Sequence, residues 1–178
     1  EDGFRGLELI AQHLIDLGHR RLAYISAPPN LMFCSSRRAG LDAALQRYQL
    51  TLLPEYHLVG DLTQQGGFGA MNQLLDLPAP PTAVVACNDL MALGAIGAAQ
   101  KRGLVVGSDV AVTGFDDIPL AEHTHPSLTT VRQPIYEIGR RICDMLIRLI
   151  RGEEPSDRHV LLQPELIVRE SSGAGGLD

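Results

Sequence analysis

Four polar clusters in this chain share one property: each follows closely on a short apolar run. Arg37 and Arg38 come after Arg21–Ala27 and its Pro28-Pro29-Asn30 break, and Asp61 after His57–Gly60. Asn88 and Asp89 come after Thr82–Cys87, and Asp116 and Asp117 after Asp109–Phe115. A guanidinium fork donates to two oxygens, a carboxylate accepts from two hydroxyls and a carboxamide does either. If the four run-ends meet, they suit a small polyhydroxylated ligand. The same residues also have plain structural uses: Asn88 and Asp89 are good helix caps, and Asp116 or Asp117 can cap the turn that follows.

Other chemistries find less support. Asp116 and Asp117 at a strand end suggest a Mg²⁺ or phospho-acceptor site, but neither a lysine partner nor a phosphate-cradling glycine loop accompanies them. Gly66-Gly67-Phe68-Gly69 lacks the spacing of a dinucleotide fingerprint and reads as a helix entry. His123 and His125 flank Thr124 without a thiolate or a third placed ligand, which is the pattern of a solvated loop. There is no serine nucleophile elbow, and Cys34 has no adjacent base. The expectation is a binding protein with no catalytic residue, no metal and no cofactor, and not an enzyme.

The elements that must position these groups alternate. The spacing of Leu7, Ile10, Ala11, Leu14 and Leu17 predicts a helix over 3–18. Strands are expected at 21–27, 57–60, 82–87 and 109–115, with helices from about Ser36, over 64–76 and from Asn88 or Asp89 to Arg102. Four strands alternating with helices predict a doubly wound parallel sheet with right-handed crossovers, and ligands of such sheets bind at the carboxyl ends of the strands. After an irregular stretch over 116–126, Ser127–Arg132 reads as an extended crossing segment. Pro134 opens a long helix to Arg151 with a broad apolar face, ended by Gly152 and Pro155. Two short strands, 160–162 and 166–168, and a disordered tail over 171–178 complete the reading. Because the first helix has no strand before it, the chain is expected to be a fragment of a longer protein.

The bulk composition narrows the partners. Fifteen Lys and Arg against 21 Asp and Glu give a net charge of −6, so these 178 residues carry no basic footprint for nucleic acid. Three cysteines without close pairing favour free thiols in a reducing compartment. No apolar run approaches a membrane span, so no membrane partner is expected and the protein is read as cytoplasmic.

Five ordered stretches then become familiar: Leu14–Ser26, Arg37–Leu45, Pro81–Ile96, Asp109–Ala121 and Pro126–Pro134. Together they resemble the effector-binding core of the lactose/galactose-repressor family of bacterial transcription regulators. The resemblance implies a fold like the type I periplasmic binding proteins, with 18–131 and 163–170 as a complete C-terminal subdomain. It assigns 1–17 and 132–162 to remnants of the N-terminal subdomain, and places a DNA-binding helix-turn-helix upstream. By the same likeness Arg37, Asn88 and Asp116 are the main polar contacts to an effector, a sugar or sugar derivative, and Asp2 touches it from the other subdomain. Leu62 stands where many sugar-binding members carry a stacking aromatic, a role Phe33 or Phe115 would have to take over. Gln133 and Pro134 match a crossover. The family dimerises, and the contact is expected on the exposed faces of the helix Leu90–Arg102 and the segment Ile118–His125, through Leu90, Leu93, Ile118 and Leu120, operator DNA being reached only through the upstream headpiece. The alternative is a periplasmic sugar-binding protein serving a transporter. The apolar stripe of the helix 134–151 is expected to be covered by another copy or disordered.

Overall fold

The computed structural model describes residues 2–153 and 159–173. Its centre is a parallel sheet of four strands, β1 (Leu22–Ser26), β2 (His57–Val59), β3 (Ala83–Ala86) and β4 (Ala111–Thr113), in the order β2-β1-β3-β4. Tyr24 lies level with His57 on one side and Val85 on the other, and Val85 with Thr113. The continuous apolar runs of β1, β3 and β4 are buried at every residue, as strands covered by helices on both faces must be.

Helices α1 (Gly3–Asp16) and α2 (Phe33–Arg47) pack together as one layer, and α3 (Gln64–Leu75) and α4 (Asp89–Lys101) as the other. The sequence reading assigned 1–17 to an N-terminal subdomain, and the structure corrects this for the described residues. Leu7, Ile10, Ala11 and Leu14 of α1 are fully buried in the same core as β1 and α2. Contact between α1 and α2 is close enough that a Cβ at Gly40 would run into the backbone carbonyl of Phe4, so only glycine fits there. At the edge of this layer the Glu8 carboxylate bridges Arg5 and, at 2.6 Å, Arg47.

Past β4, residues 129–132 run alongside the sheet: Gly114 and Asp116 donate their backbone N–H to the carbonyls of Thr129 and Val131. This segment holds β5 (Thr130–Arg132), which pairs antiparallel with β6 (Glu165–Ile167). The expected strand over 160–162 is absent: 159–164 form no regular element, although the Leu162 carbonyl accepts from the Asp2 N–H at 3.1 Å. The expected disorder from Ser171 is corrected for 171–173. Ser171 and Ser172 are buried in a short 3-10 turn, where the Ser171 hydroxyl donates to the Val112 carbonyl at 2.6 Å and accepts from the Thr129 N–H. The remainder of that tail, 174–178, and Pro155 lie outside the described residues.

The last helix, α5 (Ile135–Ile150), is strongly amphipathic yet buries no residue. Its apolar stripe is open to solvent, with Ile142 59% and Leu146 55% exposed. The expected disorder is therefore overturned. The helix is regular, held by i,i+3 and i,i+4 ion pairs of Glu137 with Arg140 and Arg141.

Candidate functional site

The strand ends do converge, but they divide their labour differently from the sequence expectation. Arg37 sits one turn into α2 and is only 4% exposed. Its guanidinium lies 3.6 Å from the centre of the Phe115 ring and 4.5 Å from that of Phe33, and Nη1 donates to the Cys87 carbonyl at 2.6 Å. A planar, weakly hydrated guanidinium tolerates such aromatic walls where an ammonium would not. Nη2 faces an Asp116 carboxylate oxygen at 3.8 Å. The two aromatics expected to stack on a ligand thus pack against the arginine instead. Phe115 is fully buried and presents no surface to a ligand, which removes it from the contacts implied by the resemblance.

Asn88 ends β3 and caps α4: its Oδ1 accepts from the Met91 N–H at 3.0 Å, and its Nδ2 donates to the Leu62 carbonyl at 3.1 Å. The structural use foreseen for Asn88 is therefore real. These bonds use one of its two N–H donors and one lone pair of its carboxamide oxygen. Leu62 itself adopts φ +67°, a left-handed backbone held in place by that amide, and its side chain packs against the core.

Asp116 and Asp117 form a strained turn, with φ of +122° and +55°. Such backbone persists only where the surroundings over-determine it, and here they do. Asp116 accepts from Gln133 at 2.6 Å, and Asp117 accepts from Arg132 at 2.6 Å and from Arg169 at 2.8 Å. Burial alone would raise the Asp117 pKa, but the two arginines outweigh it and hold the carboxyl below its usual range. Asp117 is thus a structural ion pair, and Asp116 is the member of the pair half-open to solvent.

The remaining sequence candidates do other work. Asp89 is buried, accepting from the Thr130 hydroxyl at 2.5 Å and the Ile118 N–H at 2.8 Å, and burial pushes its pKa up. Asp61 closes a local turn by accepting from the Thr63 N–H and hydroxyl. Arg38 points to Asp42 and His57. Asp2 caps α1, accepting from the Arg5 N–H at 2.9 Å, at the start of the same unit rather than across from it. Of the four residues expected at a dimer surface, Leu90 and Leu120 are 43% and 52% exposed, and Ile118 is half-buried. Leu93, 7% exposed, belongs to the core and is corrected on that ground. Among the described residues no group of three or more His, Cys, Asp or Glu side chains gathers as metal ligands would, and no helix is long and apolar enough to cross a membrane.

Sequence reasoning missed the aromatic walls around Arg37 and the role of Arg169. The first needs three residues from two elements, and its one trace in sequence is Phe33 lying four positions, one helical turn, before Arg37. The second leaves no trace, because a charged residue beside an edge strand reads as a solvated one.

A parallel sheet with Arg37, Asn88 and Asp116 along its carboxyl edge is the architecture of a ligand-binding α/β unit. The profile of the periplasmic binding protein-like domain matches residues 11–172, and the chain belongs to that family. Its relatives within the family are regulators of the lactose/galactose-repressor type. The HTH-type transcriptional repressor CytR of Escherichia coli is 41% identical over 162 residues, 91% of this chain and 48% of that protein. The ribose operon repressor of the same organism is 39% identical over 172 residues, 97% of this chain and 52% of that protein. Among solved structures, a regulatory protein of the LacI family from Chloroflexus aggregans superposes with a TM-score of 0.91 at 41% identity, covering 97% of this chain and 62% of that one. The chain spans about half the length of the curated relatives it matches.

Proposed function

We propose that this chain is the effector-sensing part of a bacterial DNA-binding transcription regulator, a repressor that binds a small sugar or sugar derivative and couples it to operator affinity. The observation that carries the reading is the placement of Arg37, Asn88 and Asp116 on one edge of the sheet, with the guanidinium and the Asp116 carboxylate 3.8 Å apart. A hydroxyl placed between them donates to the carboxylate and accepts from the guanidinium, and Asn88 supplies the remaining N–H and lone pair. The relatives' names, repressors throughout, support a regulator over the periplasmic transporter alternative and over an enzyme.

In this reading the protein works in the cytoplasm as a homodimer, with Leu90 and Leu120 supplying exposed apolar contact and Ile118 flanking them. Operator DNA is met by a helix-turn-helix outside this chain, since the net charge of −6 offers no phosphate-binding face. Two-fold pairing matches a palindromic operator. The effector acts only to the extent that it prefers one of two conformations.

The test is calorimetric titration of the full-length protein with a panel of aldoses headed by D-ribose. Once one is shown to bind, Arg37→Ala and Asp116→Asn each weaken it at least tenfold, about 1.4 kcal/mol. Undiminished affinity in both variants overturns the site.

A further inference from the structure

The turn after β4 holds two carboxylates that do different work. Asp116, its side chain 32% exposed, looks onto Arg37, whereas the Asp117 side chain is only 7% exposed. Both residues hold positive φ, which residues with a side chain avoid, so their surroundings must fix the pair.

Two arginines grip Asp117, and they are not equivalent. The Arg132 side chain is 51% exposed, so water screens its bond and side-chain freedom opposes it. The Arg169 side chain is 13% exposed and anchored at both ends. Its Nη1 donates to the Leu128 carbonyl and its Nη2 to Asp117 Oδ1, both at 2.8 Å. At its root, the Arg169 N–H donates to the Thr129 hydroxyl at 2.8 Å, and that hydroxyl donates back to the Arg169 carbonyl at 2.9 Å. A planar fork fixed at its root and at one nitrogen presents the other in a single place.

The charges around the turn call for this cation. Asp89 is buried close by: burial is the main cause raising its pKa, the charge of Asp117 adds to the rise and that of Arg169 opposes it. Arg169 thus compensates two carboxylates withdrawn from water, and taking it away leaves the turn with uncompensated charge.

We propose that Arg169 is a positioning residue of the effector site. By gripping Asp117 it holds the positive-φ pair in place and so keeps the adjacent Asp116 carboxylate 3.8 Å from the Arg37 guanidinium. Arg169 follows β6, and its fork is engaged by Leu128 and Asp117, so it acts through the turn rather than on the ligand. The cost of aiming the carboxylate is then met in folding and not again in binding. This inference rests on the function proposed above and adds to it a residue on which affinity depends without contact.

The test uses the full-length protein and a sugar shown to bind by calorimetry. Arg169→Met keeps the apolar stem and removes the fork, and should weaken binding about tenfold, the loss that follows when a charge-assisted contact is misplaced. In an Asp116→Ala background, where no carboxylate is left to aim, the same substitution should change affinity less than about twofold. A general structural role would instead cost the same in both backgrounds. Asp117→Asn loosens the same grip from the other side and enters the cycle if Arg169→Met folds poorly. A second readout needs no sugar. The Asp116 N–H donates to the Val131 carbonyl at 2.9 Å, and in Arg169→Met its hydrogen exchange should quicken at least about tenfold more than that of Ile25 in β1. Undiminished affinity in folded Arg169→Met, equal losses in the two backgrounds, or exchange at Asp116 that only follows Ile25 overturns the inference. If no sugar of the panel binds, the function proposed above fails, and the exchange measurement still decides whether Arg169 holds Asp116.

Discussion

Helices α1 and α5 carry the same kind of sequence, an apolar stripe at helical spacing with charges on the opposite side, and their fates are opposite. In α1 the stripe Leu7, Ile10, Ala11 and Leu14 is fully buried, and its charged face is anchored to α2 through Glu8 and Arg47. In α5 no residue is buried, and the ion pairs of Glu137 lie within the helix itself. A stripe states that a face needs cover; it does not state which surface covers it. That information sits in the partner, here the small residues of α2 that let α1 approach as closely as Gly40 does.

The comparison can be broken first where the effect is largest. Leu14→Ala removes a side chain from a packed core and is expected to cost about 2–5 kcal/mol, read as a drop in the denaturation midpoint. A loss below 1 kcal/mol would mean that α1 is no more anchored than α5. A smaller effect is expected from Glu8. Its hydrogen bonds to Arg5 and Arg47 outweigh burial and lower its pKa, so its stabilising contribution is present above the ordinary carboxylate range and fades as the pH falls through the lowered value. Glu8→Gln should therefore cost about 1 kcal/mol at pH 7, modest because both arginines are half-exposed, and nothing at strongly acid pH, measured by denaturant melts across that range. The smallest effect belongs to α5. Ile142→Ser combined with Leu146→Ser should move stability by no more than about 0.5 kcal/mol while reducing self-association in sedimentation. A large destabilisation there would show that α5 packs on the chain in solution.

The same contrast explains what was legible in the sequence. Strands β1, β3 and β4 could be read because both faces of a parallel sheet are covered, so the strand is apolar along its whole length and its two ends are punctuated. The convergence of Arg37, Asn88 and Asp116 followed from the rule that strand carboxyl ends share an edge. The layer of α1 did not follow, since its stripe fits either subdomain equally well. Ser171 and Ser172 read as tail because a Ser/Gly composition is the same whether the hydroxyls meet water or, as for Ser171 here, the buried carbonyl of Val112 and the N–H of Thr129. The burial of Phe115 under Arg37 escaped for a further reason: a ring and a guanidinium from separate elements meet only once the sheet exists.

One feature of the turn at Asp116 reaches beyond the site. Its carboxylate is bonded to Gln133, immediately after β5, and the neighbouring Asp117 is bonded to Arg132 within it. Any displacement of the first carboxylate must therefore tug on the polypeptide where it exits the sheet toward α5, through a single pair of adjacent residues.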